Sequence, residues 1–270
     1  MDSRTLLTWG GWLLLAPIVL YVLAGIGFRV LERRLLYHPV ATPLSECPLP
    51  EGVEHARIGA ERGLYTPAGP SGAPSDTLVV FYHGNGSRAC NWRYLGPNHL
   101  RPLGIDTLVM EYPGYAGDPR PVSKAGLLGV AEAARDWGRA RYPRVVAFGN
   151  SIGTAPAAHH AAGGGADRLV LFAPFDSMLA LLRTKGFAYP RWLLRDDYDL
   201  LADLAAGAPP TVIVHGLDDT LVPAERSHVL AAALKARGVP VTRIVRPGLG
   251  HGGLFDDGFL NPFLAEHVAP

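Results

Sequence analysis

The run Val145-Val146-Ala147-Phe148-Gly149-Asn150-Ser151-Ile152-Gly153 carries the reading of this chain. Four apolar residues end at Gly149, and a helical stretch, 152–162, follows. That context predicts a tight strand-to-helix turn with the Ser151 hydroxyl exposed at its apex. Both glycines permit close backbone approach, and the helix N-terminus behind Ser151 offers N–H groups and a positive dipole end to a developing anion. Taken alone, the pentapeptide is as readily a plain Gly-bounded turn, so its neighbours must decide.

Working outward, the same punctuation recurs. Largely apolar runs at 77–82, 107–112, 169–172 and 211–214 join 145–148 as candidate strands, and 57–65 reads as a short strand pair. Runs without polar alternation suit strands covered on both faces, as in parallel sheets. Helical stretches at 91–100, 123–141, 223–237 and 253–267 lie between them. Alternating strand and helix predicts an α/β sheet with right-handed crossovers, whose ligands bind at the carboxyl ends of the strands. No repeat or second globular domain is evident. The stretch 67–74 reads as a solvated turn, and 173–210 has room for two or three lid helices.

Three further segments end candidate strands with chemistry. His83-Gly84-Asn85-Gly86 predicts a turn that aims the Asn85 backbone amide where that of Ile152 also points, a pair of oxyanion donors. His83 itself reads as a structural brace. His215-Gly216-Leu217-Asp218-Asp219 offers a carboxylate to orient an imidazole. The residues alone leave Asp218, Asp219 and Asp176 open for that role, with capping of the helix at Pro223 as the bland reading. Gly248-Leu249-Gly250-His251-Gly252-Gly253 puts His251 in a loop after an apolar stretch, which suits a general base. The adjacent His159-His160 pair cannot share a helix face. No metal or phosphate-binding spacing occurs, so no metal or cofactor is expected.

Composition sets the limits. With 270 residues, 48% hydrophobic and 18% charged, the chain is not a disordered tail. Net charge +1 argues against a nucleic-acid partner. A chain of this size builds a core without staples, so Cys47 and Cys90 need not pair. The N-terminus stands apart. No charge interrupts 5–28, a run that as a helix is about 36 Å long, against roughly 30 Å of hydrocarbon. Trp9, Trp12 and Tyr21 sit towards its edges, and Pro17 is tolerable in a membrane helix. Val22-Leu23-Ala24 has the look of a signal cleavage site, yet the run exceeds a usual signal core and Arg29, Arg33 and Arg34 follow like a stop. The expectation is a retained single-pass anchor, 1–36, before a globular domain, 37–270. Three arginines after the span against one before it point that domain to the cytoplasm, the opposite side being the alternative.

The order Ser151, Asp219, His251 is that of the α/β-hydrolase fold. Residues 34 to about 263 resemble the membrane-anchored α/β-hydrolases that include depalmitoylating thioesterases and monoacylglycerol lipases. The likeness rests on Arg33–Pro39 after an apolar anchor, His83–Asn85, Tyr112–Tyr115, Gly149–Gly153, His215–Asp219 and Gly248–His251. It implies an α/β-hydrolase fold, a mostly parallel central sheet with helices on both faces after an N-terminal transmembrane helix. It selects Asp219 over Asp218, because the family's acid stands four residues after the His. It implies a serine hydrolase acting on carboxylic esters or thioesters, plausibly of lipids or lipidated molecules, with Ser151, Asp219 and His251 catalytic and the Asn85 and Ile152 amides holding the oxyanion. The alternatives are a peptidase of the same fold or a membrane-tethered interaction module without catalysis. Ala116-Gly117-Asp118 departs from the family's Gly-x-Ser and predicts a differently shaped pocket; Gly252-Gly253 replaces a polar residue after the His.

Overall fold

The computed structural model describes residues 3–69 and 75–269, with side chains described from Leu15 onward. The side chains of Trp9 and Trp12, and residues 70–74 of the expected turn, lie outside that description. Eight strands form one sheet: β1 (Glu54–Ile58), β2 (Glu61–Thr66), β3 (Thr77–Tyr82), β4 (Asp106–Met110), β5 (Arg144–Asn150), β6 (Arg168–Phe172), β7 (Thr211–Gly216) and β8 (Val241–Arg246). Their order is β1-β2-β4-β3-β5-β6-β7-β8, with β1 and β2 antiparallel at one edge and β3 to β8 parallel. This is the α/β-hydrolase fold with its mostly parallel sheet.

Strand alternation divides the core between the two faces. Leu78, Val80 and Tyr82 of β3 face one cluster, with α2 (Lys124–Arg139), α3 (Thr154–Ala161) and α6 (Ala224–Ala236). Val79 and Phe81 face the other, with α7 (Asp257–His267) and a run of short turns, 89–103. That second run corrects an expectation. Instead of an α-helix over 91–100, the chain makes 3-10 and π turns at Ala89–Trp92, Gly96–Leu100 and Arg101–Leu103. Pro97 and Pro102 supply no N–H to a helix there. The lid, 173–210, contains the short helices α4 (Met178–Arg183) and α5 (Leu200–Asp203) and two 3-10 turns.

The N-terminal helix α1 (Ser3–Leu36) runs unbroken through Pro17, longer than the 5–28 span read from charge. Within it, residues 15–36 are apolar and long enough to cross a bilayer, so the helix is a candidate transmembrane or signal segment. Its second half is docked. Tyr21 stacks on Tyr189 and donates to the Ala188 carbonyl at 2.9 Å. Arg29 donates to the Trp192 and Leu193 carbonyls, and Arg33 forms a fork with Asp196 at 2.8 and 3.2 Å. Glu32, 2% exposed, accepts from the backbone N–H groups of Arg195 and Asp196. A buried carboxylate is tolerated because both oxygens are satisfied. Cys47 and Cys90 form a disulfide, Cα–Cα 5.7 Å, for which the sequence carried no motif. It ties the strap after α1 to the loop after β3.

Candidate active site

The strand-to-helix turn has the expected form. Ser151 sits at φ +55°, a left-handed conformation uncommon for a residue with a side chain. Such strain persists where surroundings impose it, and here the flanking glycines show how. A Cβ on Gly149 would lie 2.4 Å from the Gly153 carbonyl oxygen, and one on Gly153 would lie 2.2 Å from the Tyr82 oxygen. Only glycine lets α3 begin this close to β3 and β5. Thr154 Oγ1 closes the turn on the Ser151 carbonyl.

Three side chains from three loops meet at this turn. The Ser151 hydroxyl lies 2.9 Å from His251 Nε2, and His251 Nδ1 lies 2.6 Å from Asp219 Oδ2. A carboxylate can only accept, so Nδ1 carries the proton and Nε2 is free to accept from Ser151. Asp219 is fixed by the N–H groups of Leu221 and Val222 on its other oxygen. Burial alone would raise its pKa, but hydrogen bonds from His215, His251 and Val222 outweigh it and hold the carboxyl well below the usual range. Asp218 is exposed, and Asp176 lies 3.4 Å from Arg226; the carboxylate on His251 is that of Asp219. Neither Asp218 nor Asp219 caps α6, which starts after Pro223 without a side-chain cap.

The loop after β3 is held as firmly. His83 is fully buried between the Gly84 carbonyl and Glu111, 2.9 Å each, which is the bracing role read for it. Glu111 also accepts from the N–H groups of Ala89 and Tyr112. The Asn85 side chain is a hub: its oxygen accepts from His38 N, Gly86 N and the Tyr115 hydroxyl, and its amide donates to the Leu36 carbonyl. Tyr112 donates to the His83 carbonyl at 2.8 Å. The Tyr112–Tyr115 motif thus fixes the loop carrying the Asn85 amide, and Asn85, Ser151 and Ile152 line one cavity. Ala116–Asp118 lies elsewhere. Ala116 exchanges backbone bonds with Val40 and Leu44 of the strap, and Asp118 pairs with Arg62 and Arg120. The departure in that loop therefore holds the strap and does not line this cavity.

Sequence reasoning passed over Glu111, Asp196 and the cavity's far wall. Glu111 had a signal, a charge inside an apolar run that here marks the end of β4. The cavity, about 240 Å³, runs from Ser151 and Ile152 between α1 and α4. Of the other histidines, His159 faces Glu132 and Asp203, His160 is buried against Tyr82, and no metal-binding cluster occurs among the described residues.

Comparison with known proteins agrees with the fold. A model of the prolyl oligopeptidase family matches residues 183–258, which include Asp219 and His251 but not Ser151. The uncharacterized protein Rv2307c of Mycobacterium tuberculosis (strain H37Rv) is 32% identical over 233 residues, 82% of this chain and 80% of that protein. Among solved structures, the apo form of Thermogutta terrifontis esterase 2 superposes with TM-score 0.61 at 21% identity, covering 81% of this chain and 91% of the esterase. Its butyrate-bound form gives TM-score 0.63 at 21% identity over 80% and 94%. The chain therefore belongs to the same family as the mycobacterial protein Rv2307c, and its fold is that of the α/β-hydrolases.

Proposed function

We propose that this chain is a membrane-anchored hydrolase that cleaves carboxylic esters or thioesters through an acyl-enzyme on Ser151. The observation that carries the reading is the continuous chain of hydrogen bonds Ser151–His251–Asp219 at the mouth of an apolar cavity. In this mechanism His251 Nε2 takes the Ser151 proton as Oγ attacks the carbonyl carbon. The backbone amides of Asn85 and Ile152 hold the oxyanion, and Asp219 steadies the imidazolium. His251 returns the proton to the leaving oxygen or sulfur, and water repeats the sequence to free the acid. Ser151→Ala tests it: labelling by a fluorophosphonate probe and ester hydrolysis should vanish with the melting temperature nearly unchanged. Labelling that persists would move the nucleophile elsewhere.

A peptidase is the second reading, favoured by the family model over 183–258. The cavity favours an acyl group: Phe28, Ile152, Phe175, Met178 and Leu182 offer a chain no amide partners. Comparing an ester with the matching anilide separates the two; anilide turnover equal to ester turnover would favour the peptidase.

The anchor is residues 1–36 and the hydrolase domain 37–270. In water α1 would expose Leu15, Ile18, Leu20 and Leu23, each more than half accessible, a patch better covered by lipid. Trp192 is 72% exposed beside the α1 contact, where an interfacial aromatic fits. The docking of Tyr21, which precedes Val22–Ala24, on Tyr189 and the Ala188 carbonyl supports a retained anchor over a cleaved signal. On sidedness, the arginine count pointed the domain to the cytoplasm, but Arg29 and Arg33 are committed to the lid. Disulfides persist in oxidising compartments, so the Cys47–Cys90 bond supports the opposite, exoplasmic face. Maleimide labelling of denatured protein taken from cells without reductant tests this. Two free thiols would return the domain to the cytoplasm.

A further inference from the structure

We infer that α1 is one wall of the acyl pocket, so that the anchor helix itself selects the acyl chain, which lies along it from Ser151 towards the bilayer. The inference rests on the hydrolase reading above. Phe28, Glu32, Leu35 and Leu36 line the cavity from the α1 side. Their spacing, i, i+4, i+7 and i+8, is one face of a helix, the pattern of a stripe packed against a core. Here the stripe meets open volume, and across it stand Met178, Leu181 and Leu182.

The cavity fits a chain and not a whole lipid. About 240 Å³ falls below the roughly 300–1,000 Å³ of pockets for drug-sized ligands. Its only acid on the α1 side, Glu32, already accepts two lid N–H groups and offers a ligand little. Lys185, the one cation in the lining, donates to the Thr220 carbonyl. Apart from His38, Asn85 and Ser151 at the catalytic end, what remains is apolar, which suits an unbranched acyl chain. The direction follows from the helix. Leu36 binds the Asn85 side chain beside Ser151, while Phe28 lies about 12 Å nearer the N-terminus at 1.5 Å per residue. Leu35 and Leu221, both more than half exposed, form an apolar rim. An acyl group from the bilayer reaches Ser151 along α1 over an apolar surface.

The test uses the full chain in phosphatidylcholine nanodiscs with p-nitrophenyl esters from acetate to dodecanoate. In the wild type kcat/KM should climb about fourfold per methylene until the pocket is filled. Phe28→Trp and Leu35→Trp take up space, so the climb should stop earlier and the ratio of octanoate to acetate should fall about tenfold or more. Phe28→Ala should move the optimum to longer chains. Val30→Trp, on the far side of the same helix, should leave the ratio unchanged. A ratio within twofold of wild type in Phe28→Trp and Leu35→Trp, with Ser151 still labelled by fluorophosphonate, would overturn the inference and leave the hydrolase reading intact. If the tryptophan variants fail to label, Phe28→Ala and Leu35→Ala decide, and an unaltered chain-length profile in both overturns it equally. A wild type that neither labels nor cleaves any ester would remove the hydrolase reading and this inference with it.

Discussion

Replacing Asp219 by Asn tests the assignment of the acid most sharply, because the structure fixes which way the new amide must point. Oδ1 of Asp219 accepts from the N–H groups of Leu221 and Val222 at 2.9 and 2.8 Å, and Oδ2 accepts from His251. An Asn that keeps its carbonyl on the two backbone donors presents its NH2 to His251 Nδ1. That forces Nδ1 to accept, moves the proton to Nε2, and removes the acceptor that Ser151 needs. The reversed amide would abandon two backbone bonds worth about 1 kcal/mol each and set NH2 against N–H, so the first orientation wins. A wrong tautomer of this kind costs about 10⁴ in turnover, or roughly 5.5 kcal/mol of transition-state stabilisation. Asp218 is exposed, and Asp218→Asn should change stability by less than about 0.5 kcal/mol and turnover by little. The assay is turnover of a short-chain ester beside melting temperature for both variants, with Asp176→Asn as a third arm. Asp219→Asn within tenfold of wild type, or an inactive Asp218→Asn, would refute the reasoning and reassign the acid.

Other consequences are open to measurement. Gly153→Ala drives a methyl into the Tyr82 carbonyl of β3, and should lower stability by about 1–3 kcal/mol or more and disturb Ser151 labelling; a wild-type melting curve would contradict the close-approach argument. Replacing both cysteines by serine opens a bridge between residues 43 apart, for which chain entropy suggests a loss of about 4 kcal/mol, to be read from denaturant midpoints against the oxidised wild type. His160 is buried against Tyr82, and burial first, then Arg135 and Arg139, lower its pKa to about 3 from 6.5. The unfolded chain therefore binds the extra proton between those values, so stability should fall as pH drops below 6.5, by up to about 1.4 kcal/mol per unit. His160→Gln should flatten that slope between pH 6.5 and 5, and an unchanged slope would assign it to other groups.

The legible parts of the sequence were those where one local pattern had one physical meaning. The apolar runs at 77–82 and 169–172 became β3 and β6 almost residue for residue, because strands covered on both faces tolerate no polar interruption. Gly149–Gly153 was legible because both glycines face backbone within 2.5 Å, a demand no other residue meets. The choice of Asp219 over Asp218 was not legible in the residues, since it depends on which neighbour in a turn faces His251; the family likeness supplied it. The expected helix over 91–100 does not form because Pro97 and Pro102 offer it no N–H, and the segment closes as short 3-10 and π turns. The Cys47–Cys90 bond was hidden because it joins residues whose approach is set by the whole strap.

The stretch Arg33–Pro39 shows why anchor and site are one construction. Read as sequence it is an arginine-flanked end to a membrane span. In the fold four of these residues are committed to the domain that follows: Arg33 to Asp196, the Leu36 carbonyl to the Asn85 amide, Tyr37 to Tyr198 at 2.7 Å, and the His38 N–H to the Asn85 oxygen. Asn85 takes part in two of these bonds, donating to Leu36 and accepting from His38, and its own backbone amide is the proposed oxyanion donor. A displacement of α1 against the lid is therefore transmitted to that donor through two hydrogen bonds. Sub-ångström placement of an oxyanion donor matters because losing one typically costs 10²–10³ in rate. The helix α1, on the reading proposed above the membrane anchor, is thus part of the site's geometry, and an excised 37–270 fragment would lack both the pocket wall at Phe28–Leu36 and half of the clamp on Asn85.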